Sequence, residues 1–431
     1  MLARSFILLV ILCCGVAVSP VSGGGAAPNI DPPLHCGWEL RLRAGVCVLE
    51  ADEAGETDWG RFYLLDGNEV MAYDAQTGER AWESPAVFRL RPALLYAVEK
   101  RVVLRTRFEV IALDAASGKR LWSYGAYPAG LDDVDADHEN FDALRYHALS
   151  GNMAVVVRES GAAVGLDIAT GEPRWEREME PRPVGAVLLS KSFVVYPAMR
   201  RGESIVCVLD RSNGKLLSAF ELEEHVRPGR LLIAADETIV AAAPPLLYGF
   251  DGRTGEQRWK RRQPERFELH TLVSTGDGLV VPASEGRIEK LRCVDGETAW
   301  RSEPLRGRVG GKPRLEATAD VVYVIGDGTV AGVDANTGRV LFDSADAGES
   351  DESWQVVAGK WLVTVRATPN PEGETLSVRF REGRTGRVAE VELPAGAHPW
   401  GRIESVQVRE GALIVRTESR LVGLVGSGER E

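Results

Sequence analysis

One ten-residue pattern, written eight times, limits what this chain can fold into. Tyr73-Asp-Ala-Gln-Thr-Gly-Glu-Arg-Ala-Trp82 returns as Leu113-Asp-Ala-Ala-Ser-Gly-Lys-Arg-Leu-Trp122, as Leu166 to Trp175 and as Phe250 to Trp259. Weaker copies run from Leu209 to Ser218, Leu291 to Trp300, Val333 to Phe342 and Arg381 to Glu390. The glycine slot is filled every time, by Gly78, Gly118, Gly171, Gly214, Gly255, Gly296, Gly338 and Gly386. The acidic slot holds Asp74, Asp114, Asp167, Asp210, Asp251 and Asp334, with Arg292 and Glu382 as departures. The aromatic slot holds Trp82, Trp122, Trp175, Trp259 and Trp300, with Ser218, Phe342 and Glu390 as departures. Successive copies lie 40 to 53 residues apart. A fixed period of this length marks a repeat architecture, in which each unit buries its faces only against its neighbours.

Each slot has a physical task. A short alternating segment precedes the Asp, as in Glu109 to Leu113 and Thr329 to Val333. Alternation with period two predicts a strand with one buried face. The Asp carboxylate can accept backbone N–H groups two and three residues on. The glycine supplies a left-handed residue to close the hairpin. The Trp then falls in the following strand, offering a large apolar face and one indole N–H. Two more strand candidates lie upstream in each unit, such as Ala93 to Ala97 followed by Arg101 to Leu104. Four strands in about 42 residues, with no convincing helix, match one propeller blade.

The motif resembles the repeat of pyrroloquinoline-quinone-type propellers. That superfamily includes quinoprotein alcohol dehydrogenases and a non-catalytic propeller of the outer-membrane barrel assembly machinery. The resemblance covers about Phe62 to Leu393 and implies an all-β fold, a single β-propeller of about eight four-stranded blades. Three further strand candidates follow the last motif: Ser405 to Val408, Ala412 to Val415 and Leu421 to Val425. A strand from Trp38 to Leu42, or from Val46 to Leu49, would complete that sheet, so strands from both chain ends are expected to close the ring. Eight blades are expected by analogy with the family, against nine by strand count.

The remainder of the 431 residues divides simply. Residues 1–23 read as a signal peptide: Arg4 is the positive end, Phe6 to Val18 the apolar run, and Ser19, Ser22 and Gly23 the small residues near a cleavage point. Cys13 and Cys14 lack a small residue in front of them, so no lipid anchor is expected. Residues 24–36 are expected to be a flexible linker, 37–425 the propeller and 426–431 a polar tail. The localisation implied is periplasmic or secreted, with no transmembrane segment in the mature chain. An exported chain permits disulfides, and Cys36 and Cys47 are near enough in sequence to bridge; Cys207, in a strand-like run, is expected to be buried.

Chemistry is sparse. The net charge is −12, with basic residues scattered among acids, which excludes a nucleic-acid-binding surface. The six histidines show no metal-ligand spacing, and neither a nucleophile elbow nor a phosphate-binding loop occurs. The longest insertion carries Asp133, Asp135 and Asp137, which resemble the start of a calcium loop. His138 and Leu144 occupy the sixth and twelfth positions, where the helix-loop-helix version needs Gly and Glu, so these aspartates are weak metal candidates. No catalytic residue and no cofactor are expected. The function expected is a monomeric, exported, non-catalytic module that binds or scaffolds an envelope or secreted protein partner, one segment of which could add as an extra strand. The alternatives are a dehydrogenase using the quinone with Ca²⁺, and a small-ligand sensor using the central channel. The adjacent-cysteine disulfide that the resemblance implies for the dehydrogenases has no counterpart after residue 14.

Overall fold

A computed structural model describes residues 30–426, apart from 31, 33, 43–46, 50–59, 67–68, 85–93, 99, 127–141, 223–229, 235, 264–271, 276–277, 306–313, 327–328, 346–353, 371–372, 395–399 and 419. The described residues form nine four-stranded antiparallel sheets and no helix. Blade 1 consists of Cys47–Leu49, Arg61–Asp66, Glu69–Asp74 and Arg80–Glu83. Each following blade repeats this up-and-down order, and blade 8 ends with Val388–Pro394. Blade 9 takes three strands from the C-terminal end, Ile403–Arg409, Ala412–Thr417 and Arg420–Gly426. Its fourth is Leu34–Arg41, antiparallel to Arg420–Gly426 with Glu39 opposite Val422.

The expected count of eight is therefore corrected to nine. The motif is the covalent turn between the third and fourth strands of a blade. In blade 9 those two strands come from opposite ends of the chain, so no turn joins them and no motif is written. Eight motifs and one strand-exchange seam give nine blades. The closing strand begins at Leu34, inside the stretch read as linker, and Cys47–Leu49 supplies the inner strand of blade 1 instead. Cys36 and Cys47 thus sit in the outermost strand of one blade and the innermost strand of another, and Cys36 carries a free thiol. The bridge that their nearness in sequence left open is not formed. Cys207 is fully buried, as its sequence context predicted.

The core is divided among the blade interfaces. Met153, Val155, Tyr196 and Cys207 fill the space between blades 3 and 4. Val280, Ile288, Val322 and Val333 do the same between blades 6 and 7. Trp38, Phe62, Met71 and Ile414 form the corresponding cluster between blades 9 and 1, which closes the ring. The second and third strands are buried on both faces, which hides their backbone groups in ladders and their side chains between sheets.

Candidate functional site

The repeat residues form one device used around the ring. Asp74 Oδ1 accepts the backbone N–H groups of Gln76 (2.9 Å) and Thr77 (2.8 Å). Gly78, at φ +69°, donates its N–H back to the Asp74 carbonyl at 3.0 Å. Asp114, Asp167, Asp251 and Asp334 anchor their turns in the same way. The Thr254 N–H, followed by Arg258 and the Arg253 N–H, holds the Asp251 carboxyl down at about 2. Where Arg292 and Glu382 replace Asp, the backbone bonds from Gly296 and Gly386 survive, so the turn does not depend on the aspartate alone.

The aromatic slot fastens each blade to the next. Trp82 Nε1 donates to the Ala115 carbonyl at 2.8 Å, and its ring covers Gly118, where a Cβ would lie 2.5 Å away. Trp122 reaches Ile168 and Gly171, and Trp175 reaches Arg211 and Gly214. Trp259 pairs with Cys293 and Gly296, and Trp300 with Ala335 and Gly338. Three of the nine interfaces lack the indole, those following Ser218, Phe342 and Glu390. At the first two, the carbonyl slot is itself glycine, and an aromatic ring from the second strand of the preceding blade lies against it. Phe193 meets Gly252, and Tyr323 Oη would lie 2.4 Å from a Cβ on Gly383. Phe220, stacked on Phe250 at 3.8 Å, adds to the first of these. Ser218 and Phe342 depart from the motif, and the glycines at 252 and 383 are the sequence signal of their compensation.

These contacts assign the motif residues to blade packing. The indoles lie against the next blade, so they do not offer the face on which a quinone ring would stack. Among the described residues no group of three or more His, Cys, Asp or Glu could hold a metal ion. Asp133, Asp135 and Asp137 lie outside the described residues, as does the signal-peptide segment. No helix among the described residues is long and apolar enough to cross a membrane.

Burial shifts several ionisable groups, His147 and Arg409 among them. His147, on the inner strand of blade 3, is pushed down to about 3 by burial and by Arg105, which donates to its Nδ1 at 3.1 Å. Arg409, at the seam of blades 9 and 1, donates to the carbonyl of Arg61 at 2.9 Å and to Gln407 Oε1 at 2.8 Å. Burial lowers it to about 10, so it stays charged at neutral pH.

The outer rim carries the surface best suited to a partner. Between blades 3 and 4 lies a cleft of about 260 Å³. Its floor is apolar, made by the buried Met179, Tyr196 and Leu209. Its mouth is set by Arg177, Glu178 and Glu180 on one side and by Lys215 and Leu216 on the other, all exposed. Leu216 and Leu217, in the outer strand Leu216–Glu221, are 52% and 44% exposed. No other outer strand among the described residues exposes two adjacent leucines.

A closed ring of four-stranded blades, six of its nine interfaces hooked through a motif indole and a motif glycine, defines a PQQ-like β-propeller. The chain belongs to the outer membrane protein assembly factor BamB family, whose model it matches over residues 38–200 and 202–414. It is 26% identical over 191 residues to the outer membrane protein assembly factor BamB of Pseudomonas aeruginosa, covering 42% of this chain and 48% of that one. The match thus spans about half the length of that relative. Over 325 residues it is 21% identical to the BamB of Burkholderia pseudomallei, 74% of this chain and 82% of that one. Among solved structures, BamB from Moraxella catarrhalis aligns with 93% of this chain and 100% of its own, at 15% identity and a TM-score of 0.44.

Proposed function

We propose that this protein is an exported, non-catalytic propeller of the cell envelope that binds a protein partner during the assembly of outer membrane proteins. The observation that carries this reading is the extent of the family match. It runs from Trp38 in the closing strand to Ile414 in the last blade, so it takes in the ring rather than one blade. The geometry supports a binding role. Nine blades fastened at their outer strands give a stiff frame, and binding to a stiff surface forfeits little ordering entropy. Loops and strand edges on such a frame are where recognition is carried.

The test is co-purification. The tagged full-length chain, produced in its own envelope and extracted under mild conditions, is expected to retain outer membrane barrel-assembly proteins through a salt wash, identified by mass spectrometry. Recovery of no such protein, in a preparation that is folded by circular dichroism, would overturn the proposal.

A further inference from the structure

Outer strands are the unpaired edges of a propeller, and folded proteins protect such edges with charge. Most outer strands here follow that rule. Arg80–Glu83 carries a charge at each end, Pro173–Glu178 reads Pro-Arg-Trp-Glu-Arg-Glu, and Gln257–Arg262 reads Gln-Arg-Trp-Lys-Arg-Arg. Blade 4 does not: Leu216–Glu221 reads Leu-Leu-Ser-Ala-Phe-Glu, so five residues pass before a charge appears. This is also where the fastening indole is missing. Ser218 stands in its slot, and its Oγ is buried without a partner among the described residues. The cleft opens beside the same strand, with Leu216 on its mouth and Met179, Tyr196 and Leu209 beneath.

We propose that the outer edge of blade 4 is a strand-addition site for an extended segment of a partner protein, which pairs with Leu216–Glu221 and lodges one large apolar side chain in the cleft. The proposal rests on the binding role argued above and gives it a place. Backbone pairing supplies affinity in this mode, and side-chain pockets supply selectivity. At about 260 Å³ the cleft falls below the volume usual for a small-molecule site, roughly 300–1,000 Å³, and suits a single side chain. The mouth selects by charge. Glu178 and Glu180, with Arg177 beside them, border it from blade 3 and leave that side one charge negative, while Lys215 borders it from blade 4. A segment with a basic residue on the blade 3 side of its apolar anchor is complementary to that rim.

The probe is an acetylated strand peptide of alternating threonine and valine, with one central tryptophan and one neighbouring lysine. Fluorescence anisotropy is expected to show saturable binding to the full chain, weakened about tenfold or more by replacing the peptide tryptophan with alanine. The double variant L216E/L217K is expected to weaken binding about as much with unchanged melting temperature, and V388K, on the outer strand of blade 8, to leave it unaltered. Equal binding to wild type and double variant would overturn the site. So would a concentration-dependent dimer in sedimentation that L216E/L217K abolishes, because the occupant would then be a second copy of this chain. The two proposals fail separately. If the probe ignores the double substitution while barrel-assembly proteins still co-purify with the wild type, the site is wrong and the assembly role stands. If the probe behaves as expected and no assembly protein is recovered, the site stands and the assembly role falls.

Discussion

The indole of Trp38 lies over Gly78, forty residues further along the chain and in the neighbouring blade. Its Nε1 donates to the Ala75 carbonyl at 3.0 Å, and a Cβ on Gly78 would sit 2.5 Å from the ring. This is the Trp82–Gly118 contact repeated at the seam. The first strand of the chain thus carries the last tryptophan of the ring, and closure uses the same device as every complete interface.

Removing that indole opens the seam. W38A is expected to lose about 3–5 kcal/mol, the usual range for emptying a buried tryptophan site. W38F keeps one aromatic ring but loses the N–H and the contacts of the second ring, so an intermediate loss of about 1–3 kcal/mol is expected. Urea unfolding followed by fluorescence measures both, and hydrogen exchange should rise first in Leu34–Arg41 and Arg61–Asp66.

The motif glycines are needed for two reasons at once, backbone conformation and contact with the indole. Gly118 has φ +70° and Trp82 against it, whereas Gly202 has φ +90° with nothing within 4 Å. G202A is expected to cost only the backbone term, about 1–2 kcal/mol. G118A adds overpacking of about 1–3 kcal/mol, so its melting temperature should fall further. Equal shifts would separate the glycine from the tryptophan.

The interfaces without an indole make a matching prediction. A Cβ on Gly252 would lie 2.6 Å from both Phe193 and the Glu237 carbonyl oxygen. G252A should destabilise by about 1–3 kcal/mol through overpacking. At the equivalent slot in blade 2, A115G should cost about 0.5–1 kcal/mol, the price of glycine's backbone freedom. Thermal unfolding of the two variants checks the order.

Acid stability should carry the mark of His147. Folded, it stays neutral down to about pH 3; unfolded, its ordinary value is 6.5. Between those values the unfolded chain binds the extra proton, so stability falls as pH drops from 6.5 toward 3. At pH 5 wild type should take up about one proton more on unfolding than H147Q does. Calorimetry in buffers of different ionisation enthalpy reads that number directly.

Much of this was legible in the sequence, because the motif is local chemistry. Asp74, Gly78 and the strand before them specify a turn with no knowledge of the rest of the fold. The blade number was not, because the count of Asp-x-x-Thr-Gly turns omits the blade whose third and fourth strands are unconnected. Trp38 carried the missing signal: it is a motif tryptophan without its turn. The partner surface was illegible for a different reason. Leu216 and Leu217 look like ordinary strand residues until the outer position of their strand is known, and the cleft beside them needs Met179, some 37 residues earlier, to form its floor.

Ring closure is the claim on which the blade count, the fastening device and the stiffness of the frame all depend. A cross-link tests it most directly. Glu39 and Val422 are opposite each other in the closing ladder, within the reach of a disulfide after substitution. In E39C/V422C, mild oxidation is expected to join the two strands, seen by peptide mapping without reductant, and to raise the melting temperature. The pairing E39C/V48C should stay reduced. A bond in the second pair and none in the first would contradict closure by the N-terminal strand.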